Sequence, residues 1–468
     1  MNLKYKYSLF LVFSFLFAQG QQKPNVIFIL ADDMGYGDLG CYGQQKIETP
    51  NIDKLASGGI RFMQFYAGTS VCAPSRASLM TGLHTGHTPV RGNYEINPEG
   101  QLPLPDSSYI MPEMFKSAGY KTGVFGKWGM GYPGSEGDPV NQGVDYFYGY
   151  NCQRQSHNFF PDHLWENTTR IKLDNTTSNM PQYAPELIQE KAMDFMESNQ
   201  SAPFFMYLAY TLPHAALQLP AGDEVFEHYK KKFNEQPKNI IKDWNGKGYQ
   251  PQAYPRAAYA AMVARLDAYV GEVVAKLKQL GLDKNTLIVF SSDNGPHREG
   301  GNDPEFFNSN GGFKGIKRQL TEGGMREPMI VNWPGKIKAG QVSDHIGAFW
   351  DFLPTFSQLA GEELPFKSDG ISLMPVLLGK KQPKHDFLYW EFHEDGGRQA
   401  VRMGKWKGIK EGVMKNPDVK LALYDLTADP GETKNIADEH PEVVRKINEA
   451  MLKSHVENKN FPFLSGKR

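Results

Sequence analysis

Short, unbroken apolar runs alternate along the chain with stretches whose apolar positions follow a helical period. Asn25 to Leu30, Phe204 to Ala209 and Thr286 to Phe290 are runs dominated by apolar and β-branched residues, and Lys121 to Phe125 reads as a further strand. That pattern predicts strands covered on both faces, as in a parallel sheet. Thr49-Pro50 predicts a helix start, with Ile52, Leu55 and Ala56 on one face and Gly58-Gly59 as its stop. Ile110 to Ala118 reads as a short helix, and Pro185 to Ser198 as a helix whose apolar face is Leu187, Ile188, Ala192, Phe195 and Met196. Ala257 to Leu280 is a longer helix closed by Gly281; Met329 to Val331 is a strand, and Phe349 to Leu359 begins another helix. Strands in alternation with helices predict an α/β fold, a large mixed, mostly parallel sheet flanked by helices.

From about residue 384 the pattern changes. Phe387 to Phe392, Gln399 to Met403, Trp406 to Ile409 and Leu421 to Tyr424 are short strands separated by Gly and Asp turns, and Glu442 to Val456 is a helix. This predicts a smaller C-terminal α+β domain with an antiparallel sheet. A chain of 468 residues exceeds the size at which single cores stop growing, so the expected division is a catalytic α/β domain at 21–380 and the smaller domain at 381–468. Residues 85–104 and 311–328 read as loops, the second flexible and basic, and residues 220–254 as a polar excursion over the sheet.

Residues 1–20 combine Lys4 and Lys6, an apolar run from Leu9 to Phe17, and Ala18-Gln19-Gly20. They predict a secretory signal peptide, and with it a periplasmic or extracellular location. The run is too short for a membrane span, so no stable membrane partner is expected. Lys plus Arg total 51 and Asp plus Glu 52, a formal charge of -1, which gives no general affinity for nucleic acid. Cys41, Cys72 and Cys152 are the only cysteines. They exclude a disulfide scaffold, although export leaves one Cys41–Cys152 bridge open. Asn167 and Asn175 each begin an Asn-Thr-Thr acceptor, relevant only in a eukaryotic secretory pathway.

Candidate chemistry gathers at the ends of the predicted strands. Asp32 and Asp33 follow the first, and Asp293 and Asn294 follow the run at Thr286. An open α/β sheet binds ligands at that edge, and these are hard oxygen donors of the kind Ca²⁺ or Mg²⁺ takes. Lys127 sits between glycines at another strand end, and His214 follows Pro213 at a fourth. Cys72 opens a helix whose early Pro74 suits the first turn, and Arg76 lies four residues on. A cysteine so placed meets free amides and a cation, a setting for an anion, although spacing alone leaves a structural thiol equally open. Arg154 and His157 lie in an aromatic loop suited to sugar rings, and His393 precedes a turn that would face the cleft. His84 and His87 stay outside the catalytic set as surface histidines.

Cys72-Ala73-Pro74-Ser75-Arg76 followed by Thr81-Gly82 resembles the signature of the sulfatase family, arylsulfatase A-like members of the alkaline phosphatase superfamily. The resemblance extends to Gly126-Lys127-Trp128, to Pro213-His214, to Lys317 with Glu322-Gly323-Gly324, and to Leu423-Tyr424-Asp425-Leu426 with Asp429-Pro430. It implies that Cys72 is converted to formylglycine by a maturation enzyme and acts as an aldehyde hydrate. It also implies that Asp32, Asp33, Asp293 and Asn294 hold Ca²⁺ beside residue 72, with Mg²⁺ second. Arg76 would favour the nucleophile, Lys127 and Lys317 would contact sulfate, and His214 would protonate the leaving group; Lys314 stands where many members have arginine. Gly129 departs from the family, which carries a histidine there. No glycine fingerprint for a nicotinamide cofactor and no P-loop occurs, so no organic cofactor is expected. The expected substrate is a sulfated carbohydrate. Two other readings are a phosphate mono- or diester hydrolase of the same superfamily, which the cysteine motif opposes, and a noncatalytic sugar-sulfate binder, which the retained nucleophile and ligands oppose.

Overall fold

The first strand, β1 (Asn25–Ala31), is buried along its whole length, as an unbroken apolar strand between two helical layers must be. The computed structural model describes residues 23–176, 178–238 and 248–463. The predicted signal peptide lies outside them, as does part of the polar excursion. β1 pairs in parallel with β10 (Thr286–Ser292) on one side and β9 (Phe204–Ala209) on the other. β9 is followed by β5 (Lys121–Lys127) and then β6 (Tyr146–Tyr150), again parallel. Beyond these five strands the sheet becomes mixed. β11 (Arg326–Asn332) runs antiparallel to β10, and β2 (Ile60–Tyr66) antiparallel to β11, with β12 (Gln341–Ala348) parallel to β2 at the edge. A hairpin of β7 (His163–Glu166) and β8 (Thr169–Lys172) forms the opposite edge.

Alternate residues of β1 enter different cores. Ile27 and Ile29 pack with the helices Ala184–Ser198 and Pro255–Gln279, while Val26, Phe28 and Leu30 pack with Met111–Ser117 and Phe352–Ala360. Phe28 meets Phe352 edge-on, ring centroids 5.0 Å apart. The second sheet orders β13 (Leu388–Phe392), β14 (Arg398–Met403), β15 (Trp406–Glu411) and β16 (Ala422–Asp425), all antiparallel. The helix Pro441–Ser454 covers it through Ile447, Ala450 and Met451. No described helix is long and apolar enough to cross a membrane.

Several elements depart from the sequence reading. It places no strand at β2, β6, β7, β8 or β12. β6 is Tyr-Phe-Tyr-Gly-Tyr, and its glycine is needed because a Cβ on Gly149 would stand 2.0 Å from the Gly126 carbonyl of the neighbouring strand. The region read as a loop at 85–104 contains a small hairpin, β3 (Glu95–Ile96) with β4 (Gly100–Gln101), and the polar excursion contains the helix Glu224–Phe233. Cys41 and Cys152 are both free thiols, so the bridge left open by the sequence is not formed.

The seam between the sheets is polar and buried. Glu391 accepts from Tyr389 Oη at 2.7 Å, and its oxygens lie 2.9 Å from His393 Nε2 and 2.6 Å from His455 Nδ1. Arg91 Nη1 is 3.5 Å away. Burial opposes the charge, but the hydrogen bonds from His393 and His455 prevail and bring the carboxyl down to about 2. An acid depressed in the folded state contributes stability that is whole above its unfolded pKa, near 4.5, and is lost as pH falls through the folded value. His455 is raised, so its share is whole below its ordinary pKa of 6.5 and is lost as pH rises through the folded one. The melting midpoint of the protein is therefore expected to fall between pH 5 and pH 2 more steeply than that of Glu391→Gln. Parallel profiles for the two would remove Glu391 from this role.

Candidate active site

Four adjacent parallel strands, in the order β10, β1, β9, β5, deliver the predicted residues to one edge. Asp293 and Asn294 follow β10, Asp32 and Asp33 follow β1, His214 follows β9, and Lys127 ends β5. The ladder continues past the strand ends, with Asp293 N donating to Ala31 O at 3.1 Å and Asp32 N to Leu212 O at 3.0 Å. Hence Asp32, Asp293 and Lys127 are set by sheet geometry, while His214 sits in the turn beyond β9 that its N–H closes on Thr211 O at 2.9 Å. The helix Cys72–Thr81 stands over this edge with every residue buried and ends at Gly82, whose φ of 65° is left-handed. Ser75 Oγ donates to Asp293 O at 2.6 Å and accepts from Gly68 N at 3.0 Å, fixing the first turn. Cys72 Sγ thereby lies 3.3 Å from Asp32 Oδ1 and 3.8 Å from Asp33 Oδ1.

Each acidic group at the edge meets a cation. Arg76 places Nε and Nη2 on Asp293 Oδ2 at 3.0 and 2.8 Å, and donates from Nη1 to Lys127 O at 2.9 Å. Lys127 Nζ is 2.7 Å from Asp32 Oδ2, and Lys317 Nζ is 2.6 Å from Asp33 Oδ2. His214 Nε2 sits 3.2 Å from the same Asp33 oxygen and 3.3 Å from Lys317 Nζ. None of these side chains is more than 4% exposed. Burial works against the charge on Asp32, yet Lys127, His214 and Arg76 hold its carboxyl well below the usual range. Burial and the Asp32 charge push Asp293 up to about 6. Burial and Lys317 hold His214 well below 6.5, and burial with Asp293 and Asp32 pushes the Cys72 thiol up.

The donor set fits a hard divalent cation. Asp32, Asp33, Asp293 and Asn294 are all 0% exposed and offer only oxygens for it. Asn294 donates through Nδ2 to Asp33 Oδ1 at 2.7 Å and to Gly295 O at 3.0 Å, while its Oδ1 is buried without a hydrogen-bond partner. An orphaned carbonyl oxygen beside three carboxylates is the arrangement a cation satisfies. Ligand atoms of Asp32, Asp33, Cys72 and His214 also lie within 4.8 Å of one another.

Lys317 is not on a flexible loop. It is 5% exposed, its N–H donates to Pro296 O at 3.0 Å, and Arg318 N donates to Ser70 O at 2.9 Å. The loop is thus tied both to the segment after Asn294 and to the one before Cys72. His157 stacks on His214, with centroids 4.8 Å apart and planes 6° apart. Arg154 is half exposed at the rim of a cavity of about 930 Å³ that His157 and Tyr249 also line. His393 is turned into the seam, 3% exposed and bonded to Glu391, rather than brought to the other site residues. His84 and His87 stack on each other and face Asp369, the latter at 2.9 Å.

Two features escape the sequence reading. His297 is fully buried, packs 5.7 Å from the His214 ring and points Nε2 at Pro213 O, 3.2 Å away. Its signal was its position three residues after Asn294 on the same strand end. Gly129 has a φ of 73°, and a Cβ there would lie 3.2 Å from Gln153 Cγ. Gln153 Nε2 donates to Asn93 Oδ1 at 3.0 Å, and that oxygen also accepts from Ala73 N at 3.2 Å, beside Cys72. An amide pair therefore stands next to the position where the family has its histidine.

The sulfatase family model matches residues 24–362, and a model described as N-sulphoglucosamine sulphohydrolase, C-terminal, matches residues 312–459. The chain is 33% identical to pig (Sus scrofa) N-acetylgalactosamine-6-sulfatase, covering 93% of this chain and 86% of that protein. Identity to human (Homo sapiens) arylsulfatase A is also 33%, over 92% and 87%. The crystal structure of Ps i-CgsB superposes with a TM-score of 0.77 at 30% identity, covering 95% of this chain and 94% of that one, and the same protein has been solved in complex with k-i-k-neocarrahexaose. With the family model spanning most of the chain and relatives matched over nearly its whole length, the protein belongs to the sulfatase family and is a hydrolase of sulfate esters.

Proposed function

We propose that the exported protein, matured at Cys72 to formylglycine, hydrolyses sulfate esters of carbohydrates. The observation that carries the reading is Cys72 at a helix start, 3.3 Å from Asp32 and ringed by Arg76, Lys127, Lys317 and His214, all buried together. In the hydrated aldehyde one hydroxyl attacks sulfur and the sugar oxygen leaves, taking a proton from His214. The second hydroxyl then expels sulfate from the remaining hemiacetal ester and restores the aldehyde, so one water is consumed per turnover. Lys127 and Lys317 balance charge on the sulfuryl oxygens, and Arg76 holds Asp293 and the Lys127 carbonyl in place. Ca²⁺, held by Asp32, Asp33, Asp293 and Asn294, would supply positive charge that favours the ionised nucleophile. Gly129 removes the family's imidazole from the sulfate-release step, leaving the Gln153–Asn93 amides, which do not titrate, next to that position.

The carbohydrate assignment draws on two cavities, of about 930 and 770 Å³, that begin at His157 and at Lys317 and combine apolar surface with polar and charged side chains. It also draws on the relatives, one of them named as an N-acetylgalactosamine-6-sulfatase and another solved in complex with k-i-k-neocarrahexaose. The test is to co-express the chain with a formylglycine-generating enzyme, weigh the peptide containing residue 72, determine bound metal, and assay sulfate release from sulfated saccharides beside an aryl sulfate. Formylglycine, one calcium and a higher kcat/KM on a saccharide are expected. Full activity with unmodified cysteine, or with zinc in place of calcium, would defeat the mechanism, and a higher kcat/KM on the aryl ester would defeat the substrate class.

A further inference from the structure

We propose that the cleft beginning at Lys317 is a subsite for a second anionic group of the substrate, a second sulfate ester or a uronate carboxylate, held by Arg398 and Arg318 with Lys314. This rests on the sulfatase reading and adds to it a specificity device built by the second sheet.

The cavity of about 770 Å³ is lined by Lys317 and His297 from the candidate active site, by Lys314 and Arg318 from the loop, and by Asp395 and Arg398 next to and on β14. Its size suits one or two sugar rings. Its cations are not all neutralised. Arg298 pairs with Glu305 and Arg318 with Glu299, while Lys317 is committed to Asp33. Lys314 Nζ has only a backbone partner, Glu432 O at 3.0 Å. Arg398 Nε stands 3.6 Å from Glu411 Oε1 and Nη1 3.7 Å from Asp395 Oδ2, both ion pairs longer than a hydrogen bond. The lining therefore holds five cations, Arg298, Lys314, Lys317, Arg318 and Arg398, against the three acids Glu299, Glu305 and Asp395, with Glu411 meeting Arg398 from outside it. A guanidinium offers two parallel donors to a carboxylate or sulfate, a geometry that a lone ammonium lacks.

Arg318 adds an independent sign. Its φ of 72° lies in the left-handed region that side chains disfavour, and both its backbone groups are fixed there, N to Ser70 O and O by Arg398 Nη1 at 2.9 Å each. Strain of this kind persists where surrounding structure over-determines it, and it gathers at ligand-binding positions. The effect here is to aim a side chain that is 42% exposed into the cleft immediately after the buried Lys317. Arg398 grips the same carbonyl from the second sheet, so the two arginines are positioned as a unit.

The test uses the matured full chain and three saccharides of one backbone: a monosulfate, the same with a second sulfate, and the same with a uronate carboxylate; an aryl sulfate is the fourth substrate. For the wild type, kcat/KM is expected to be at least about tenfold higher for one dianionic arm than for the monosulfate, and this preference should shrink as salt rises. Arg398→Gln and Arg318→Gln should each bring the dianion-to-monoanion ratio down by about tenfold. Which arm shows the effect identifies the anion. In parallel, calorimetry on the Cys72→Ala chain reads affinity without turnover, and the same ratio of Kd values should fall on adding Arg398→Gln. Equal kcat/KM and equal Kd for mono- and dianionic saccharides, or a ratio untouched by both substitutions, would overturn the subsite. No sulfate release from any ester, the aryl sulfate included, would instead overturn the sulfatase mechanism, and the calorimetric ratio would still decide the subsite.

Discussion

Cys72→Ala is expected to abolish sulfate release, by at least about 10⁴-fold in kcat, while the melting midpoint moves by only a few degrees. The activity loss follows from chemistry. With alanine at 72 no group remains that can form and later shed a sulfuryl ester, and removing a covalent nucleophile costs on that order or more. The small stability effect follows from geometry. Cys72 is 1% exposed, but its Sγ is one atom, and the helix beneath it is held by Ser75 Oγ on Asp293 O and by Arg76 on Asp293 and Lys127 O, contacts that alanine leaves intact. Cys72→Ser separates attack from release: its single hydroxyl can accept a sulfuryl group, yet lacks the second oxygen needed to expel it. Steady sulfate release by the alanine chain above a hundredth of the wild-type rate would place the nucleophile elsewhere.

The strand ends were the legible part of this site. Asp32, Asp33, Lys127, His214, Asp293 and Asn294 follow runs such as Val26 to Leu30, whose unbroken apolar character marks strands buried on both faces. Parallel strands with such residues at their carboxyl ends can only bring them to one edge. The loop at Lys317 was not legible, because its order comes from far along the chain. Glu322 bonds Lys407, 85 residues away, and Glu432, 110 residues away, and no local pattern announces either. His393 was expected in the cleft, whereas the structure puts it on Glu391 and gives the cleft wall to Arg398, five residues on. Both lie near the same turn, and only the register of β13 against β14 distinguishes which of them reaches the seam and which the cavity. β2 was missed for another reason. Ile-Arg-Phe-Met-Gln-Phe-Tyr follows neither clean alternation nor an unbroken apolar run, since it lies between the antiparallel β11 and the edge strand β12.

Lys407→Met is expected to destabilise the protein by about 3–5 kcal/mol and to lower kcat/KM through Lys317, although Lys407 belongs to the second sheet. Lys407 and its two carboxylate partners have fully buried side chains, with Nζ 2.8 Å from Glu322 Oε1 and 3.4 Å from Glu432 Oε1. Burial opposes the charge on Glu322, but Lys407, Arg402 and Arg326 together hold its carboxyl down at about 2. Without the lysine, two acids share one dry site. Glu322 keeps Arg326 at 3.2 Å, Arg402 at 3.5 Å and Tyr66 Oη at 2.7 Å, whereas Glu432 loses its ion-pair partner and is left accepting only from Glu322 N, at 2.7 Å. The damage passes to the active site because Glu322 ends the loop that carries Lys317, closed by Gly323 N on Lys314 O at 2.7 Å and by Lys314 Nζ on Glu432 O. Loosening that end frees Lys317 from Asp33 and His214, so the fall in activity should exceed that of an equally destabilising change in the helix Pro441–Ser454. Adding Glu432→Gln to Lys407→Met removes the uncompensated charge, so the double variant should recover part of the stability, with a coupling of about 1 kcal/mol or more. Chemical denaturation of the four chains measures the cycle. A single-variant loss under about 1 kcal/mol, or strict additivity, would show that the buried lysine holds neither the loop nor the seam.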